Sequence, residues 1–153
     1  MVVKYLRDTS EGNFPLIEIP YFLNKVRGGW PSPADDYIER PIDLNEHLIK
    51  NPAATYFVRV SGDSMIDAYI GDGAILVVDR SVEAKHKSIV IADINGSYAC
   101  KRLLTKPKVC LASENDKYPP IFIEENEELQ VIGVVIAAIN TYWKNDLRIS
   151  WLQ

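Results

Sequence analysis

The chain has no apolar run approaching the roughly 18 residues that a membrane-spanning helix needs. Its first residues, Met1-Val2-Val3-Lys4-Tyr5-Leu6-Arg7-Asp8, lack the uninterrupted apolar stretch of a secretory signal. A soluble, cytoplasmic protein with no membrane contact is the expectation. Positive charge is also scarce: 17 Lys and Arg stand against 21 Asp and Glu, for a net charge of −4. Non-specific grip on nucleic acid comes from neutralising phosphates with a basic face, so the chain is not expected to hold DNA directly. The only histidines are His47 and His86 and the only cysteines Cys100 and Cys110, with no CxxC or Cys–His spacing among them. No metal and no cofactor is expected, and the cysteines read as small buried hydrophobes in a reducing compartment.

What is present suits one compact domain with an appended arm: 153 residues, 47% of them hydrophobic. Residues 1 to about 40 hold no sustained period. They mix short apolar pieces with prolines and charges, and Val26-Arg27-Gly28-Gly29-Trp30-Pro31-Ser32-Pro33 cannot form a regular helix. An adaptable arm, pliable at Gly28-Gly29, is expected there. One short helix follows, with Asp43 as cap, Glu46 completing a capping box, Leu44 and Leu48 on one face, and Asn51-Pro52 as the stop.

From Ala54 the pattern turns to strands: 54–60, 74–79, 88–94, 97–104, 108–112 and 129–140, all rich in Val, Ile, Leu and Tyr. Turns separate them at Gly71-Asp72-Gly73, Asn95-Gly96, Lys106-Pro107 and Tyr118-Pro119-Pro120. Asn95-Gly96 between two such runs is the strongest hairpin signal in the chain. The expected fold is therefore mainly all-β, barrel-like or sandwich, divided as an arm with the helix (1–50), a β-rich domain (51–141) and a C-terminal tail (142–153).

Two residues stand out within that β-rich part. Ser64 sits at the tip of a polar turn, Ser61-Gly62-Asp63-Ser64-Met65, directly after a strand. Glycine there tolerates positive φ, and Asp63 can hydrogen-bond the backbone just ahead of it. Taken alone, the stretch is a polar turn. Lys101 lies on a strand whose two faces, Ala99/Lys101/Leu103 and Tyr98/Cys100/Arg102/Leu104, are both largely apolar. A lysine there either snorkels to water or is buried, and burial lowers its pKa from about 10.4 by up to about 3–5 units. A neutral amine can take the proton of a serine hydroxyl. A buried Lys101 would make Ser64 the nucleophile and Lys101 the general base, with the backbone N–H groups of Asp63, Ser64 and Met65 as oxyanion-hole candidates. A Ser-His-Asp site is weaker: His47 is expected on an exposed helix face, and His86 lies between two lysines.

Ser61-Gly62-Asp63-Ser64-Met65, then Asp72-Gly73, then Lys101 37 residues after Ser64, resembles the LexA/UmuD group of self-cleaving serine–lysine proteins. The UmuD-like branch is the nearer match, through Trp30-Pro31-Ser32-Pro33-Ala34-Asp35-Asp36-Tyr37, Ile42-Asp43-Leu44-Asn45, Ala54-Thr55-Tyr56-Phe57-Val58 and Gly133-Val134-Val135-Ile136. A LexA-type repressor would need a helix-turn-helix ahead of the domain, which the irregular N-terminal residues are not expected to supply. The resemblance implies a protein of the SOS response to DNA damage. A RecA filament on single-stranded DNA would stimulate it to cut its own arm, and the shortened homodimer would join a UmuC-type Y-family polymerase for translesion synthesis. The implied scissile bond maps onto Gly28-Gly29. The family usually carries Ala or Cys where this chain has Gly28, so slower cleavage is expected, and a poorly cleaving regulatory module of the same fold is the alternative. A serine–lysine signal peptidase would share the chemistry but is disfavoured by the lack of a membrane anchor.

Overall fold

The computed structural model describes residues 2–5, 19–22, 38–124, 127 and 129–142. Gly28-Gly29, the Trp30–Tyr37 run and the tail beyond Tyr142 lie outside the described residues. The chain divides into two compact units, one built on the first strand together with the chain from Asn51 onward, the other on residues between them.

In the smaller unit, strands β2 (Ile19–Phe22) and β3 (Ile38–Ile42) form an antiparallel pair. A short helix, α1 (Leu44–Leu48), follows. Asp43 caps it as expected, but its carboxylate accepts the Asn45 N–H at 2.8 Å, one residue short of the Glu46 position that a capping box uses. No helical residue is fully buried: of the expected apolar face, Leu44 is exposed and Leu48 half-buried.

The larger unit is one antiparallel sheet of eight strands in the order β1-β4-β5-β10-β6-β7-β8-β9. The strands are β1 (Val2–Tyr5), β4 (Thr55–Ser61), β5 (Ile75–Asp79), β6 (Ile89–Ile94), β7 (Ser97–Leu104), β8 (Cys110–Ala112), β9 (Ile121–Phe122) and β10 (Gln130–Ile139). The mainly all-β expectation holds, and the six expected strands are present with their ends moved by a residue or two. The irregular arm expected at the N-terminus is corrected at one end: Val2–Tyr5 pairs with β4 in the register Val2↔Ser61 to Tyr5↔Val58. Four residues are too few to display a period, so the pairing edge of β4 supplies what the sequence pattern does not. β1 also lies close to β7, which requires the sheet to curl back on itself.

β10 joins the two halves of the sheet. Its first half pairs with β6 and its second with β5, with register shifts between Val131 and Gly133 and between Val135 and Ala137. The core is divided accordingly. Val58, Val60, Met65, Ile70, Leu76, Val78, Ile91 and Cys100 pack together on one side, and Val90, Ala92, Leu103, Leu111 and Val134 on the other. β7 serves both clusters, Cys100 the first and Leu103 the second, as its two apolar faces imply.

Candidate active site

β4 delivers the chain to Ser64. The β4–β5 ladder runs past the end of β5, with Val60 N donating to Ala74 O (3.0 Å) and Gly73 N to Val60 O (2.9 Å). Gly62 then turns the chain at φ 92°, a conformation cheap only for glycine. Its N–H donates to the Asp72 carboxylate at 2.7 Å, tying the Ser64 turn to the Gly71-Asp72-Gly73 turn. Met65 is fully buried in the first core cluster and so anchors the residue after the serine. Ile66 N donates to Asp63 O (3.2 Å) and Ile70 N to Met65 O (3.2 Å), closing the turn behind it.

Lys101 reaches Ser64 from β7. The Asn95-Gly96 hairpin, with both residues at positive φ, pairs Ile94 with Ser97 and hence Val90 with Lys101. Ser64 is 2% exposed and Lys101 8%. Nζ lies 3.2 Å from Ser64 Oγ, within hydrogen-bond reach. Burial lowers the Lys101 pKa, because taking the ammonium out of water disfavours its charged form. The neighbouring Cys100 thiolate would oppose this, but burial pushes that thiol up to about 12, so it stays neutral at physiological pH.

A second hydroxyl, absent from the expectations, also touches the lysine: Nζ lies 2.9 Å from Ser113 Oγ. The Tyr118 ring sits beside it, 5.9 Å from Nζ to the ring centre. Asp63 departs from the expected local backbone contact. Its carboxylate chiefly accepts the Tyr118 hydroxyl, at 2.6 Å, which holds its pKa below the usual carboxylate range and raises that of Tyr118. Of the three oxyanion candidates, the Ser64 and Met65 N–H groups donate to no acceptor among the described residues. The Asp63 N–H likewise donates to no other residue among those described. His47 and His86 are both exposed, and His86 Nδ1 accepts the Thr105 N–H at 3.0 Å. Among the described residues no three His, Cys, Asp or Glu side chains gather as a metal site would require, and Cys100 and Cys110 are buried free thiols. No helix among the described residues is long and apolar enough to cross a membrane.

Residues 20–136 match the peptidase S24-like family, well over half of the chain. The chain belongs to that family. Within the S24-like proteins it is 44% identical over 127 residues to Protein MucA of Salmonella typhimurium, covering 82% of this chain and 87% of MucA. It is 43% identical over 121 residues to Protein SamA of the same organism, covering 79% and 84%. Against the LexA repressor of Shewanella piezotolerans it is 31% identical over 125 residues, which is 80% of this chain but 60% of the repressor. The LexA/UmuD resemblance, in its UmuD-like branch, therefore stands, and the family is one of self-cleaving serine peptidases.

Proposed function

We propose that this S24-like protein cuts its own chain between Gly28 and Gly29, with Ser64 as nucleophile and Lys101 as general base. The observation that carries the reading is the buried 3.2 Å approach of Lys101 Nζ to Ser64 Oγ. Neutral Lys101 accepts the Ser64 proton as Oγ attacks the Gly28 carbonyl carbon. The oxyanion forms against the Ser64 and Met65 N–H groups, which donate to no acceptor among the described residues. The C–N bond then breaks, and the Lys101 ammonium returns its proton to the Gly29 amine. Water, deprotonated by the same lysine, hydrolyses the Ser64 ester and releases the N-terminal fragment.

The likeness to MucA and SamA supports placing this chemistry in SOS mutagenesis in the cytoplasm. In that reading a RecA filament on single-stranded DNA stimulates the cut, and the shortened homodimer serves a UmuC-type Y-family polymerase in translesion synthesis. Gly28 favours a second reading. Where the family carries Ala or Cys, glycine costs more entropy to hold in the cleavage pose, and a poorly cleaving protein would act chiefly through its dimer and polymerase contacts.

Incubation of the purified protein at alkaline pH, followed by intact-mass measurement, tests the first reading. An N-terminal piece ending at Gly28, absent from Ser64→Ala and Lys101→Ala, is the expected result. An unchanged mass, even with RecA, nucleotide and single-stranded DNA, overturns it in favour of the second.

A further inference from the structure

A neutral lysine amine carries two N–H bonds and one lone pair, and rotation about Cε–Nζ is nearly free. Only one of its three staggered settings aims the lone pair at Ser64 Oγ. Ser64 and Ser113 are the hydrogen-bond partners of Nζ among the described residues, and Ser113 is the closer, at 2.9 Å. A hydroxyl that accepts one N–H removes most of that rotational freedom.

The segment that carries Ser113 also grips the turn that carries Ser64. Glu114 O accepts the Asp67 N–H at 2.9 Å, Asn115 Nδ2 donates to Asp63 O at 3.0 Å, and the Tyr118 hydroxyl donates to the Asp63 carboxylate at 2.6 Å. Lys117 Nζ stands 3.8 Å from the same carboxylate. The Glu114 side chain pairs with Arg102 Nε on β7, next to Lys101, and Arg102 also donates to Lys87 O at 2.6 Å. The segment from Ser113 to Tyr118 thus reaches both Lys101 and the turn that carries Ser64.

We propose that residues 113–118 form a brace that sets the dyad's geometry: Ser113 is a positioning residue that accepts an N–H of Lys101 and aims the amine's lone pair at Ser64, while Asn115 and Tyr118 fix the turn that carries Ser64. The proposal rests on Lys101 acting as base. The other groups facing that lysine do not compete for its proton. Cys100 is a buried neutral thiol, Tyr118 presents its ring and sends its hydroxyl to Asp63, and Arg102 is engaged by Glu114 and Lys87 O.

An accepting hydroxyl favours ammonium over amine, so losing it lowers the lysine pKa even as it disorders the amine. The test compares full-length wild type, Ser113→Ala, Ser113→Thr and Tyr118→Phe. Self-cleavage rates are measured by intact mass from about pH 7 up to the ordinary lysine value of 10.5, and folding is checked by thermal melting. In parallel, Lys101 Nζ is titrated by NMR on lysine-labelled Ser64→Ala protein with and without Ser113→Ala. Ser113→Ala should lower the plateau rate about tenfold to a hundredfold, with its inflection at lower pH, and Ser113→Thr should restore most of the rate. Tyr118→Phe, which keeps the ring, should slow cleavage without moving the inflection. A Ser113→Ala plateau equal to wild type, or Thr as slow as Ala, overturns the role of the hydroxyl, and an unaffected Tyr118→Phe overturns the second half of the brace. Should wild type fail to cut, the self-cleavage reading fails on its own. The Nζ titration then decides, since a downward shift on removing Ser113 supports the brace and no shift refutes it.

Discussion

Lys101→Met, introduced into a Ser64→Ala background so that no cleavage intrudes, should change how stability depends on pH. The residue is only 8% exposed, and burial lowers its pKa below the ordinary 10.5. Below the native-state pKa, folded and unfolded chains both hold the proton, and the full cost of burying the ammonium is present. Between that pKa and 10.5 the unfolded chain still holds the proton while the native protein has released it. Stability rises with pH wherever the unfolded state binds more protons, by at most about 1.4 kcal/mol per pH unit for one group. Methionine fills similar space without titrating, so its variant lacks this climb. The Lys101 protein should therefore gain on it steadily with pH across the window and hold level on either side. Cys100 works in the opposite sense. Its thiol, ordinarily near 9.0 and pushed up to about 12, makes stability fall as pH rises between those values. It is present in both proteins and largely cancels in the difference. Urea denaturation at a series of pH values, with the slope m checked for constancy, measures the effect. Parallel curves would mean that Lys101 titrates alike in native and unfolded chains, and the argument for a neutral base would fail.

Three further outcomes follow from particular contacts. Gly133→Ala would place a Cβ 2.7 Å from Val78 Cγ1 and 3.3 Å from Asp79 O. Val78 is fully buried, so about 1–3 kcal/mol should be lost, and an unchanged melting midpoint would contradict this packing. Asn140→Ala removes the Nδ2 bond to Tyr69 O (2.7 Å) and the acceptor of the Gly71 N–H (3.0 Å), which together tie the end of β10 to the loop after Ser64. A loss of about 1–2 kcal/mol and faster hydrogen exchange at Gly71 are expected. In the self-cleaving reading, Gly28→Ala should speed cleavage about two- to fivefold, from the smaller entropy cost of holding alanine in place, and intact mass at fixed pH measures the change.

How much of this site was legible in the sequence depends on how well each turn was marked. A two-residue turn at Asn95-Gly96 admits one register, Ile94 opposite Ser97, and that register sets Lys101 opposite Val90 on a strand packed from both sides. Ser64 was legible for a similar reason, because Gly62 breaks β4 at the residue where the strand's apolar alternation ends. β1 and β9 were not, being four and two residues long and held by a neighbouring edge rather than by a pattern of their own. The Asp63–Tyr118 bond spans 55 residues and belongs to tertiary structure alone.

Ser113 fell between these cases. The sequence places a turn at Lys106-Pro107, and a two-residue turn there would set Ala112 opposite Lys101, where no hydrogen bond to the amine is possible. The observed pairing, Leu104 with Cys110 and Arg102 with Ala112, is instead centred on Pro107, and one step further it sets Ser113 opposite Lys101. Half a residue in the centre of the turn is a full residue in register, and a full residue in register exchanges a methyl for a hydroxyl beside the amine. The chemistry of the base was readable from its own strand, whereas the group that aims it depended on a turn whose centre the residue types did not fix.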